Sequence, residues 1–100
     1  MFAIVLDLDP DRLKDVYGGP SWNTAYNDVR AFLKKRGFDW QQGSTCFGDD
    51  TVDAVSCVLT IQGMTAEFDW FAPSVRDIRM LRIEDNNDLM PAVERIANRK

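Results

Sequence analysis

The chain contains no histidine. That absence removes the Ser-His-Asp triad, Cys-His nucleophile pairs, histidine zinc sites and the paired-histidine route to RNA cleavage, so any acid–base work falls to Asp, Glu, Tyr, Lys or Cys. Cysteine is scarce: Cys46 and Cys57 show no CxxC or Cys/His ligand spacing. One falls on a predicted strand and one on a predicted helix, which fits two reduced, partly buried thiols. No apolar run approaches the roughly 20 residues of a membrane span, and the first residues lack the basic start and small-residue cleavage site of a signal peptide. The expectation is a cytoplasmic protein that engages no membrane. Positive charge is in deficit, with a net charge of −4, so only a local basic patch could attract nucleic acid. Phosphate loops, nucleophile motifs and cofactor signatures are missing too, which leaves a small-molecule enzyme without support.

What is present describes an ordinary globular domain. Of the 100 residues, 45% are hydrophobic and 11% aromatic, enough for a modest core and too many for disorder. Nothing reads as a linker, so residues 1–100 are expected to form one domain. The organising stretch is Met-Phe-Ala-Ile-Val-Leu-Asp-Leu-Asp at positions 1–9. Its unbroken apolar run from Met1 to Leu6 suits a central strand buried on both faces, and it ends at Asp7, where a covered sheet first meets solvent. Asp9-Pro10-Asp11 then reads as an N-cap with proline at the first helical position. The short turn through Leu13 and Val16 is stopped by Gly18-Gly19-Pro20.

Ser21 is the expected cap of the main helix, in which Trp22, Ala25, Tyr26, Val29, Phe32 and Leu33 keep helical spacing. Lys34, Lys35 and Arg36 complement the dipole at its end and Gly37 stops it. Phe38 to Gln41 and Ser44 to Phe47 read as two short strands around a tight turn containing Gly43. Gly48-Asp49-Asp50 reads as turn and cap of a second helix, with Val52, Val55, Val58, Leu59 and Gln62 on its buried stripe and Gly63 near its end. Asp49, Asp50 and Asp53 lack the spacing of a calcium loop and its closing Glu, so capping and solvation account for them.

Phe68-Asp69-Trp70-Phe71 is expected to form a hydrophobic lid over the core edge, with base stacking as the rival reading. A strand follows within Ser74 to Glu84. Its alternation slips between Met80 and Leu81, which suggests a bulge or a face buried by a partner. Leu89 to Ile96 can form a short amphipathic helix with Pro91 in its first turn, followed by a frayed Asn98-Arg99-Lys100. The order predicts an α+β ferredoxin-like βαββαβ sandwich plus a short C-terminal tail helix. Its antiparallel sheet would place the first and last strands centrally and both helices on one face. The other face needs a cover, which in so small a chain a second copy would supply, so a homodimer is expected.

Three segments carry a likeness to a known family. They are Phe2-Ala3-Ile4-Val5-Leu6-Asp7-Leu8-Asp9, then Gly37-Phe38-Asp39-Trp40-Gln41-Gln42-Gly43-Ser44, and Trp70-Phe71 with Ser74-Val75-Arg76-Asp77-Ile78-Arg79-Met80-Leu81-Arg82-Ile83-Glu84. Over about Met1 to Asp88 the chain resembles the virulence-associated protein D (VapD) family, toxin endoribonucleases related to the small CRISPR-associated adaptation nucleases. The resemblance implies a dimeric ferredoxin-like endoribonuclease that cuts RNA in the cytoplasm, often paired with an antitoxin protein. It marks Asp7 as the chief catalytic residue, with Ser44 and Asp77 as its neighbours. Cys46 stands where the family pattern leads one to expect an aromatic, usually tyrosine, which takes a hydroxyl from that position.

Two versions of the chemistry fit a histidine-free site. In one, Asp7 acts as general base on a ribose 2′-hydroxyl while Arg76 or Arg79 stabilises the phosphate, and the products carry cyclic phosphates. In the other, Asp7 from two protomers meets across a two-fold axis and holds a magnesium or manganese ion that activates water. Arg76 and Arg79, with Arg12 nearby, would collect RNA phosphates in a salt-dependent way. Blander readings stand beside these: Asp7 as a cap for the turn at Asp9-Pro10, Ser44 as a turn hydroxyl, and Asp77 with Arg76 and Arg79 as an ion-pair network. The rival function is a non-catalytic, homodimeric ferredoxin-like module for regulation or protein binding.

Overall fold

The computed structural model describes residues 1–18 and 21–99, with only the backbone of Gln42. Its elements are β1 (Phe2–Leu8), α1 (Pro10–Val16), α2 (Thr24–Lys35), β2 (Phe38–Gln42), β3 (Thr45–Gly48), α3 (Ala54–Glu67), α4 (Phe71–Ser74), β4 (Val75–Arg82) and α5 (Met90–Ala97). The strands form one antiparallel sheet in the order β2-β3-β1-β4. The α+β ferredoxin-like plan therefore stands, with one correction: β1 and β3 are central, and β4 is an edge. The hairpin is the reason, because β3 takes one side of β1 and leaves β4 the other.

Alternation along β1 splits its apolar run between two environments. Ile4, Leu6 and Leu8, each no more than 3% exposed, pack with Val29 and Leu33 of α2, Cys57 and Met64 of α3, and Phe71. Ala3, Val5 and Asp7 lie on the opposite face. There Ala3 is closed over by its cross-strand neighbours Phe47 and Leu81, while Asp7 stands in solvent. The central strand is thus covered by helices on one face only, not buried on both.

Local chemistry sets most element ends. The Asp9 carboxylate accepts hydrogen bonds from the backbone amides of Asp11 and Arg12, capping α1 as expected. Gly19 and Pro20 of its expected stop lie outside the described residues, as does Lys100 of the expected frayed end. Gly37 at φ 91° ends α2 and Gly43 at φ 55° closes the β2–β3 hairpin, both in the left-handed region that side chains avoid. Ser21 is not the cap of α2. A turn at Trp22 and Asn23 intervenes, Asn23 occupies the cap without a side-chain bond, and Ser21 only accepts the Thr24 amide on its carbonyl.

The second helix departs further. Its cap is Asp53, which accepts from the Ser56 amide at 2.7 Å, whereas Asp49 closes its own turn on Thr51. Cys57, Thr60 and Met64 form the buried stripe of α3, while Val55, Val58 and Leu59, expected to face inward, are 52–65% exposed. The helix is apolar nearly all round, so its periodicity does not select an inner face. In β4 the pairing with β1 runs unbroken through Met80 and Leu81, and the irregularity falls instead at Asp7/Leu8. The aromatic lid is present: Phe71 is buried, and Trp70 stacks on Phe68 at 5.0 Å and meets Tyr17 edge-on at 5.3 Å. The tail helix α5 forms as expected but buries none of its residues. Its stand-off position lengthens the molecule, whose radius of gyration of 16.0 Å exceeds the roughly 13 Å of a compact domain this size.

Candidate active site

The C-terminal end of β1 brings four charged side chains together. Asp7 is paired directly across the strands with Asp77 of β4, so both side chains leave the same face of the sheet, about 5 Å apart at their Cβ atoms. Each is held by an arginine. Arg76 donates from Nε to Asp7 Oδ2 at 3.0 Å and from Nη2 to Oδ1 at 3.2 Å, a bidentate grip. Arg79 donates from Nε to the two Asp77 oxygens at 3.1 and 3.3 Å. Two carboxylates this close repel unless something neutralises them, and here two guanidiniums do so. The hydrogen bond to Asp7, then its negative charge, hold the Arg76 guanidinium above its usual pKa.

The sequence around β4 explains how Arg76 reaches its partner. Leu8 pairs with Val75 and Asp7 with Asp77, which leaves Arg76 as the extra residue of a bulge. Such an insertion bends the strand and re-aims a side chain. The preceding turn is fixed: the Ser74 carbonyl accepts the Asp9 amide at 2.8 Å, and the buried Ser74 hydroxyl donates to the Trp70 carbonyl at 2.7 Å. All four charged side chains stay more than half exposed. Ion pairs of that kind add little to stability and remain open to exchange with a ligand.

The other candidates are distributed differently. Ser44 comes to the site through its backbone, its carbonyl accepting the Leu6 amide at 3.0 Å. The hydroxyl in phase with Asp7 is that of Thr45, which pairs with Val5 on the same face. Thr45 was missed by sequence reasoning, although strand alternation carried through the hairpin would have pointed to it. Arg12 is occupied elsewhere, its Nε donating to the Pro73 carbonyl at 3.4 Å. Cys46 pairs with Ile4 and so faces the core, where burial pushes its thiol up to about 12. The cysteine at that position therefore leaves the charged face untouched. The cap reading of Asp7 does not hold either, since Asp9 takes that role.

Among the described residues no cluster of three or more His, Cys, Asp or Glu is placed to hold a metal ion. A cation at Asp7 would have to displace the Arg76 guanidinium and draw further ligands from elsewhere.

These features define a small ferredoxin-like α+β protein with a histidine-free acid–arginine site on the bare face of its sheet. No family model matches the chain. It is 46% identical over 93 residues to Endoribonuclease VapD 2 of Riemerella anatipestifer, covering 93% of this chain and 99% of that protein. Against the Endoribonuclease VapD homolog of Helicobacter pylori the identity is also 46%, over 94% of this chain and 97% of the relative. Against Endoribonuclease VapD of Dichelobacter nodosus it is 38%, over 94% and 98%. The chain belongs to the VapD endoribonuclease family.

Proposed function

We propose that the protein is an endoribonuclease in which Asp7 is the general base for breaking RNA phosphodiester bonds. The observation that carries this reading is an exposed carboxylate facing Asp77 and gripped by an arginine it can hand over. An incoming phosphate competes with Asp7 for the Arg76 guanidinium, which offers it the same two-pronged donor set. The freed carboxylate then takes the proton of the ribose 2′-hydroxyl. The 2′-oxygen attacks phosphorus, the bond to the 5′-oxygen breaks, and that oxygen takes a proton from a water whose hydroxide is neutralised by the proton held on Asp7. The products are a 2′,3′-cyclic phosphate and a 5′-hydroxyl. Arg79, oriented by Asp77, stabilises the charge that builds on the phosphate, while Ser44 holds the neighbouring hairpin to β1 through its carbonyl. In the metal-assisted version, the Asp7 residues of two protomers would hold magnesium or manganese, which supplies an activated water.

A second copy of the chain is the proposed cover for the bare surfaces. Leu81 on the open sheet face and Leu89, Val93 and Ile96 of the tail are 44–71% exposed, apolar surface that a second copy would bury. The family likeness supports a toxin role in the cytoplasm with an antitoxin protein as partner. Among the described residues no helix is long and apolar enough to cross a membrane.

The test compares cleavage of labelled RNA by wild type and Asp7→Asn, with the fold of both checked by circular dichroism. Loss of roughly 10²–10⁴-fold is expected, with cyclic-phosphate ends formed in the presence of chelator. Cleavage that the variant leaves unchanged defeats the reading. Activity abolished by chelator and restored by magnesium or manganese selects the metal version. A protein that cuts no RNA at any pH or with any metal is the non-catalytic module.

A further inference from the structure

The arginines at the proposed site are largely self-neutralised, Arg76 by Asp7 and Arg79 by Asp77. The free positive charge lies elsewhere. Four of the chain's 12 Lys and Arg residues fall between positions 30 and 36, with no acidic residue among them. Arg30, Lys34, Lys35 and Arg36 are all exposed, and none forms an ion pair among the described residues. Arg30 and Lys34, four apart on α2, share one side of the helix. Of the neighbouring carboxylates, Asp28 is engaged by the Tyr17 hydroxyl at 2.7 Å and Asp49 by Thr51, while Asp39 beside Lys34 and Glu67 beside Lys35 and Arg36 form no ion pair with them among the described residues.

Two of the guanidiniums are also preset. Arg30 lies 4.9 Å from the centre of the Trp40 ring and Arg36 lies 4.8 Å from that of Phe32. Stacking of this kind orients a cation without cancelling its charge. The helix dipole accounts for cations only in the last turn, which holds Lys34 and Lys35. Arg30 lies outside it.

We infer that the ridge formed by Arg30 and Lys34 on α2 binds the phosphate backbone of RNA, apart from the Asp7 site. The inference rests on the endoribonuclease reading. Because α2 packs on the covered face of the sheet and Asp7 leaves the other, only an RNA long enough to pass round the sheet edge touches both. The ridge therefore raises affinity for long RNA, without base preference and with strong salt dependence, and leaves short substrates unaffected.

The experiment measures binding of labelled single-stranded RNA by anisotropy across a salt series, together with cleavage of a long RNA and of a short oligonucleotide. It compares wild type, R30Q/K34Q, and the charge-matched control R95Q/R99Q, whose changes lie on and beyond α5. Binding of long RNA by R30Q/K34Q should weaken roughly tenfold, and the slope of log affinity against log salt should fall by about 1.4, two contacts' worth. KM for the long RNA should rise by the same factor, with kcat and short-oligonucleotide cleavage unchanged. An equal loss in R95Q/R99Q, or no loss in R30Q/K34Q, overturns the ridge. So does competition by poly-glutamate as effective as that by RNA, which would make the ridge a site for acidic polypeptides. Binding is read in the Asp7→Asn background as well. A ridge effect there, beside a wild type that cuts nothing, upholds the ridge and defeats only the nuclease reading.

Discussion

The two faces of β1 arise from one apolar run and end in opposite environments. On the helix side Ile4, Leu6 and Leu8 are sealed under α2 and α3, and Cys46 beside them has a thiol that burial pushes up to about 12. On the open side Ala3 and Val5 are shielded mainly by cross-strand neighbours, and Asp7 reaches solvent with an arginine in its grasp. A charged pair could not sit on the first face without a large desolvation cost. On the second it costs little and stays open to solvent. The fold thus places stability on one side of a strand and the proposed chemistry on the other.

The largest effect that separates them is expected on the covered side. Phe71, 1% exposed, closes the core next to the aromatic lid, so Phe71→Ala should cost about 3–5 kcal/mol. That is a large part of the roughly 5–15 kcal/mol that holds a domain together. Denaturant titration of this variant beside Asp7→Asn sharpens the contrast, because the second should unfold close to wild type while losing cleavage. If Asp7→Asn unfolded as easily as Phe71→Ala, the division between the faces would be wrong.

A smaller effect tests what covers the open side. Leu81, 44% exposed on that face, shields Ala3 only in part, so Leu81→Asp should cost a lone chain about 1 kcal/mol. If a second copy lies there, the same change buries a charge at the interface, and sedimentation should show dimer giving way to monomer. A variant that stays dimeric would move the interface elsewhere, to α5 or to the exposed side of α3.

The features legible in the sequence are those decided within a few residues. Asp9 before Pro10 had to cap, Gly37 and Gly43 had to turn, and an apolar run ending in Asp7 had to leave a carboxylate at a strand end. Features set by distant partners were not legible. Which side of the all-round apolar α3 faces inward depends on how it lies across β1. Which aspartate each arginine takes depends on a bulge visible only once β4 has chosen its register. The family resemblance supplied Asp7, Ser44 and Asp77 as a group, but only pairing of the strands shows that Asp77 faces Asp7 and that Thr45, rather than Ser44, is in phase with it.

The smallest effect concerns the start of α3, whose placement decides which of its apolar sides is covered. The Asp53 carboxyl is held below its ordinary pKa first by the Ser56 amide and then by the Ser56 hydroxyl. Asp49 is lowered likewise, first by the Thr51 hydroxyl and then by its amide. A carboxylate depressed by folding contributes stability above its unfolded pKa of about 4, and loses it as pH falls through the lower folded value. Asp53→Ala should therefore melt below wild type at neutral pH, with the gap narrowing as the pH is taken below about 4. Thermal melts of the two proteins over that range check it. A gap that persisted at the acid end would mean that Asp53 steadies α3 by shape rather than by charge, and a gap absent at neutral pH would mean that packing of Cys57 and Met64 alone sets which side of the helix is covered.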